Sequence, residues 1–214
     1  MLDTSNITNL VIIAIALILS IWVHEYAHAF VSDKLWDPTP KNYGRLTPNP
    51  IAHIDLMWLL MVFLIHFGWG KPVPINPSYY KNPKIWEFLV SIAGPITNII
   101  LSFATFIVIK LYTWQDFNQF MLIAQVDPLL KFFSYLAMLN IWLAIFNLLP
   151  IPPLDGRKFI KLIDYNFFTK LEYKLYSNPF YVVIPFLILM YSGISKWIGI
   201  VIDIVANFFI KILS

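Results

Sequence analysis

His24-Glu25-Tyr26-Ala27-His28 places two imidazoles and a carboxylate at the spacing H-E-x-x-H. On a helix, residues four apart lie about 40° apart around the axis, so both rings project from one face, one turn from each other. That spacing lets two ring nitrogens reach one zinc ion at about 2.0–2.1 Å. Glu25, beside the first ligand, is then in place to take a proton from the attacking water. The same three residues could instead be two hydrogen-bonded helix histidines and an ion-paired glutamate. Their setting argues against that, because no Lys or Arg lies in the apolar run Leu10–Val31 that carries them, and ionisable groups inside such a run usually serve a function.

That run belongs to a chain built for lipid. Of 214 residues, 59% are hydrophobic, 13% are charged, and the mean hydropathy is +0.70. Soluble domains are nearer half apolar and a quarter charged, while disordered chains are poor in aromatics and rich in charge. The expected fold is an all-α polytopic membrane protein with about four to five transmembrane helices, a re-entrant segment and short membrane-associated β-strands. The whole chain, 1–214, reads as a single integral-membrane domain, with a core over 8–156 and a C-terminal helical segment over 180–213. No basic residue precedes the first apolar run, so it reads as a mature span and not as a cleaved leader. The chain has no cysteine, which excludes disulfides and thiolate ligands. Its scattered positive charge gives no sign of nucleic-acid binding.

Ile85–Tyr112 and Leu129–Leu149 are long enough to span. Leu56–Ile65, with ten residues, is too short to cross a bilayer and reads as re-entrant. Phe180–Leu213 would reach about 51 Å as one helix, so two short spans with a turn near Gly193 are expected. Eleven of the fifteen basic residues fall in 32–50, 70–84 and 150–179. The bias of Lys and Arg toward cytoplasmic loops then puts these regions inside, and the N-terminus and the 112–129 loop outside. This topology holds only if Ile51–Gly68 enters and leaves on one side.

A third zinc ligand should come from the cytoplasmic end of another span. Asn147-Leu148-Leu149-Pro150-Ile151-Pro152-Pro153-Leu154-Asp155-Gly156 closes one; its prolines break the helix and Gly156 permits a sharp turn. Asp155 could point back at the histidines from there, or simply form a surface Asp-Gly turn.

H-E-x-x-H in one span with N-x-x-P-x-x-P-x-D-G in a later one resembles the site-2 protease family of intramembrane zinc metalloproteases. Gly44–Pro50 with His53-Ile54-Asp55, Phe67–Pro77, and Ala93-Gly94-Pro95-Ile96-Thr97-Asn98 resemble its compact branch, without an appended PDZ or CBS domain; Gly70 stands where that branch suggests Ala. The resemblance runs from about His24 to Gly156. It implies one Zn2+ per chain on His24, His28 and Asp155, Glu25 as general base, and Asn147 beside the metal, hydrogen-bonding the substrate carbonyl or packing helices. Asn98 would pack spans and position the site, and it joins Leu46 and Val73 as a candidate substrate-binding residue. Leu46–Pro50 and Val73–Pro77 could be strands that pair with an unwound substrate. His53 reads as interfacial or as support for the site, and Asn140 as structural.

The implied activity is hydrolysis of peptide bonds in or near transmembrane segments of single-span membrane proteins, in the cell membrane, with the site opening toward the cytoplasm. Three alternatives stay open: a membrane zinc endopeptidase of another class, a non-catalytic membrane interaction protein, and a transporter with an intramembrane His/Glu relay.

Overall fold

A computed structural model describes residues 7–53, 71–113, 127–178, 180–182, 184, 188 and 192–213. Its long helices are α1 (Ile7–Lys34), α3 (Pro83–Thr113), α4 (Pro128–Asn147) and α7 (Ile194–Leu213). Short helices α2 (Thr39–Asn42), α5 (Arg157–Ile160) and α6 (Tyr165–Tyr176) lie in the connections. Proline opens both α3 and α4, where its missing N–H costs nothing. The Asp127 carboxylate caps α4 by accepting from the Leu129 amide at 2.8 Å.

Among the described residues, α1, α3 and α4 are long and apolar enough to cross a membrane, against the four to five spans expected. α7 is not among them. It carries Lys196, Asp203 and Lys211 within twenty residues, and charge of that density is costly in lipid. The turn expected near Gly193 is present, with that residue at φ 84°. The half of the tail before it lies largely outside the described residues.

The three candidate spans pack against one another. Ala16 and Leu17 of α1 meet Leu136 and Leu139 of α4. Farther along, Phe106 and Ile109 of α3, Ala137 and Ile141 of α4, and Ala206 and Phe209 of α7 form a second apolar cluster. Small residues at these crossings let the backbones approach, as lipid-embedded helices require. Between the apolar clusters, Ser20, Asn98, Ser102 and Asn140 are fully buried, and this polar seam is where the site forms.

No strand is present among the described residues, which corrects the reading of Leu46–Pro50 and Val73–Pro77. Pro48, Pro50, Pro74 and Pro77 have no N–H to offer a ladder, and the amides nearby are bonded elsewhere. The Asn76 amide donates to Asp37 Oδ2 at 2.8 Å. The Lys71 amide donates to the His53 carbonyl at 3.1 Å. Pro50–His53 and Pro77–Tyr79 are single 3-10 turns.

Two buried charges hold these loops. Asp37, fully buried, accepts from Ser32 Oγ at 2.9 Å, the Thr39 amide at 2.9 Å and the Asn76 amide, so it ties the 71–80 segment to the end of α1. The chain reaches Asp37 through Trp36 at φ 70°, a left-handed conformation that favours glycine. Arg45 donates through Nη1 to the Ala52 carbonyl and through Nη2 to the Pro72 carbonyl at 3.1 Å. Residues 52–53 and 71–72 therefore meet, although Leu56–Ile65 itself lies outside the described residues.

Candidate metal centre

Helix α1 presents His24 and His28 to α3, and α3 sets their orientation. His24 Nδ1 donates to Asn98 Oδ1 at 2.5 Å, and His28 Nδ1 donates to the Val90 carbonyl at 2.7 Å. Both partners are acceptors, which assigns the proton to Nδ1 and leaves each Nε2 with its lone pair. Asn98 is itself fixed: its Nδ2 donates to the Ser20 carbonyl at 3.3 Å and to Asn140 Oδ1 at 2.5 Å. Asn140 in turn donates to Ser20 Oγ at 2.8 Å and to the Leu136 carbonyl at 2.7 Å.

The third group arrives from the end of α4. The Gly156 amide donates to the Asn147 carbonyl at 2.7 Å, closing the 147–156 turn. A Cβ at Gly156 would strike the Leu148 and Leu149 carbonyls, so only glycine lets the turn close. Asp155 is thereby aimed back at α1. Its Oδ2 lies 3.0 Å from His24 Nε2 and 3.1 Å from His28 Nε2, and the two nitrogens are 3.1 Å apart.

This triangle tests whether a metal fits. Tetrahedral ligation at about 2.0–2.1 Å sets ligand atoms roughly 3.3 Å apart, close to the sides observed. Three lone pairs at this separation repel unless a cation lies among them. The donor set of two neutral imidazoles and one carboxylate suits zinc. His24, His28 and Asp155 form the candidate metal-holding group found among the described residues.

Glu25 follows His24, and its carboxylate is in electrostatic reach of His24, His28, Asp155 and Arg45. Helix α3 also comes close here because residue 94 is glycine. A Cβ on Gly94 would sit 2.5 Å from His28 Nε2 and 2.6 Å from His24 Nε2.

The model of peptidase family M50 matches residues 119–191. YwhC of Bacillus subtilis, named as a zinc metalloprotease, is 44% identical over 149 residues, covering 70% of this chain and 67% of that one. The chain belongs to peptidase family M50. It is a zinc metalloprotease by that membership. Rip2 of Mycolicibacterium smegmatis, also named a zinc metalloprotease, is 29% identical over 148 residues, 65% of this M50 chain and 52% of Rip2. MJ0611 of Methanocaldococcus jannaschii, similarly named, is 38% identical over 73 residues, 34% and 32% of the two chains. The M50 chain thus spans about two thirds of the Bacillus relative's length and about half of the mycobacterial one's. No solved structure matches it significantly.

Other residues singled out in the sequence fall differently. Asn147 Nδ2 donates to the Leu143 carbonyl of its own helix at 3.0 Å, and one amide hydrogen remains for another acceptor. Asn98 is fully buried behind His24, where it orients that ring and has no surface for substrate. Leu46 and Val73 are half-buried on the two loops that Arg45 joins. His53 is fully buried, with Nε2 3.0 Å from the Thr47 carbonyl and its ring against Tyr26; it supports the loops and is not in the triangle.

Asp37, Glu87 and Glu172 had no role in the sequence reading, and Gly94 and Arg45 stood there only as members of motifs. Glu87 carried a usable signal. It is an ionisable residue inside an apolar run, the criterion that singled out Glu25.

The Asn98 network makes a specific prediction. Asn98→Ala deletes the acceptor of His24 Nδ1 and frees the ring to rotate. Losing such an outer partner typically weakens metal binding 10–100-fold. Zinc titration of the folded variant checks this, and wild-type affinity would remove Asn98 from the site.

Proposed function

We propose that this M50 peptidase hydrolyses peptide bonds in or near the transmembrane segments of single-span membrane proteins. One observation carries the reading: His24, His28 and Asp155 converge on one point, and two of the three lie in a helix able to span the bilayer. In this reading one Zn2+ per chain sits on those three residues. When bound, zinc supplies a Lewis acid that polarises the scissile carbonyl and acidifies a water.

The protein's own groups do the rest. Glu25 accepts the proton of the attacking water and returns it to the leaving amine. Asn98 and the Val90 carbonyl keep both imidazoles turned with Nε2 forward. Asn147 offers its remaining amide hydrogen to the substrate carbonyl as negative charge develops there.

Cleavage requires an extended substrate, because the scissile amide is shielded in a helix. The loops bearing Leu46 and Val73 are the proposed seat for that segment. Residues 71–76 are free of regular structure, and Asn76 is extended at φ −123° and ψ 101°. The meeting of residues 52–53 with 71–72 supports a re-entrant Leu56–Ile65 that leaves and returns on one side. With the basic loops cytoplasmic, the site opens toward the cytoplasm and the N-terminus lies outside.

The test is cleavage by the purified protein of a panel of single-span substrates in lipid, with and without a zinc chelator. Products cut within or beside the span, lost on chelation and regained with zinc, are expected. Cleavage confined to soluble loops, or indifferent to chelation, would overturn the reading.

A further inference from the structure

Beyond Asp155 the chain forms α5 and α6, which supply no residue to the triangle. Their charged side chains instead converge on Glu87, near the start of α3. Glu87, only 1% exposed, accepts from Lys158 Nζ at 2.6 Å, Lys161 Nζ at 3.0 Å and Tyr165 Oη at 2.5 Å. Glu172 on α6 accepts from Arg157 Nε at 2.7 Å and pairs with Lys161 Nζ at 2.6 Å. Burial would raise the Glu172 carboxyl, but Lys158 and Arg157 beside it outweigh that and lower it to about 2.

Arg157 links this cluster to the metal centre. Its Nη1 donates to the Pro153 carbonyl at 2.9 Å and to the Leu154 carbonyl at 3.0 Å. These are the two residues immediately before Asp155. One edge of the guanidinium thus grips the ligand-bearing turn while Nε is held by Glu172. Pro150, Pro152 and Pro153 have no N–H to contribute, so the turn is bonded internally through the Ile151, Leu154 and Gly156 amides, and Arg157 adds a hold from outside on the Pro153 and Leu154 carbonyls. A planar, multi-donor group suits this role better than a lysine would.

We propose that Arg157 and Glu172 are positioning residues for Asp155, acting as a clamp that makes α6 part of the metal centre. Glu87 anchors the same clamp to α3 through Lys158 and Lys161. This rests on the zinc reading of the triangle.

The experiment uses the full chain in lipid nanodiscs. Zinc affinity is measured by chelator competition, ligand geometry by the visible spectrum of the Co2+-loaded protein, and folding by thermal unfolding. Glu172→Gln is expected to weaken zinc binding 10–100-fold, as loss of outer partners does, and to alter the cobalt spectrum. It also removes the carboxylate paired with Arg157 and one of the two paired with Lys158 and Lys161, which threatens the fold itself.

The double variant Lys161→Met/Glu172→Gln restores the charge balance. It should recover the unfolding temperature but not the zinc affinity. A purely structural role predicts recovery of both. Arg157→Lys keeps the charge but loses the fork, and should also weaken zinc binding; it decides the matter alone should Glu172→Gln not fold. Wild-type affinity and cobalt spectrum in folded Glu172→Gln and Arg157→Lys would overturn the clamp. His24→Ala, expected to bind no metal, separates the two failures: if the wild type binds no more zinc than this control, the zinc reading itself fails and the clamp with it.

Discussion

Gly94→Ala is expected to empty the metal centre while leaving the helices intact. The added methyl carbon would stand 2.5 Å from His28 Nε2 and 2.6 Å from His24 Nε2, far inside van der Waals contact. Neither ring can step aside cheaply. Each is tethered through Nδ1, to Asn98 and to the Val90 carbonyl, and α1 is packed against both neighbouring spans. The strain is therefore relieved by moving the rings or separating α1 from α3, and either change breaks a triangle whose sides are about 3 Å.

Zinc affinity should fall by at least about 100-fold, beyond the loss of a single outer partner, and activity should fall with it. Helix propensity works in the opposite direction, since alanine is favoured over glycine by about 1 kcal/mol within a helix. Loss of metal would then reflect the clash and not a weakened helix. Metal content and circular dichroism of the purified variant check both parts. Gly199→Ala in α7, where an added Cβ meets nothing within 4 Å, is the silent control. Full zinc occupancy in Gly94→Ala would show that the centre is not built as described.

Glu25→Gln is the complementary case, in which the metal stays and turnover goes. The substitution is nearly isosteric and touches none of the three ligands, so zinc binding should hold within a few-fold. It removes the carboxylate that accepts the proton, and positioned acid–base groups contribute about 10²–10⁴-fold to rate. Single-turnover cleavage of a spanning substrate at matched zinc content is the measurement. Full activity in the variant would show that another group handles the proton.

The residues of the candidate site were legible because their pattern is local or ends at a helix break. His24, Glu25 and His28 lie on one helical turn, and Asp155 follows a proline-broken span end. The spans were legible too. Ile85–Tyr112 became Pro83–Thr113 and Leu129–Leu149 became Pro128–Asn147, since apolar runs and opening prolines are local signals.

What escaped is non-local. Whether an amide in 46–50 or 71–77 joins a ladder depends on competitors such as the Asp37 carboxylate, which lies 39 residues from its Asn76 partner. No window of sequence shows that competition. Glu87 and Glu172 find their cations only once α3, α5 and α6 are packed together. Gly94 shows its purpose only when α3 is laid against two imidazoles 66 and 70 positions earlier in the chain.

The separation of His28 from Asp155, 127 residues, has a consequence for biogenesis. During synthesis α1 enters the bilayer carrying two imidazoles and a carboxylate with none of their partners yet made. Val90 and Asn98 arrive with α3, and Asp155 only after α4 is in place. On the proposed zinc reading, His24, His28 and Asp155 can meet one ion only when the last of these helices has docked, so metal capture would follow the packing of α1, α3 and α4. A chain interrupted before Asp155 would hold the two histidines without the third group of the proposed centre.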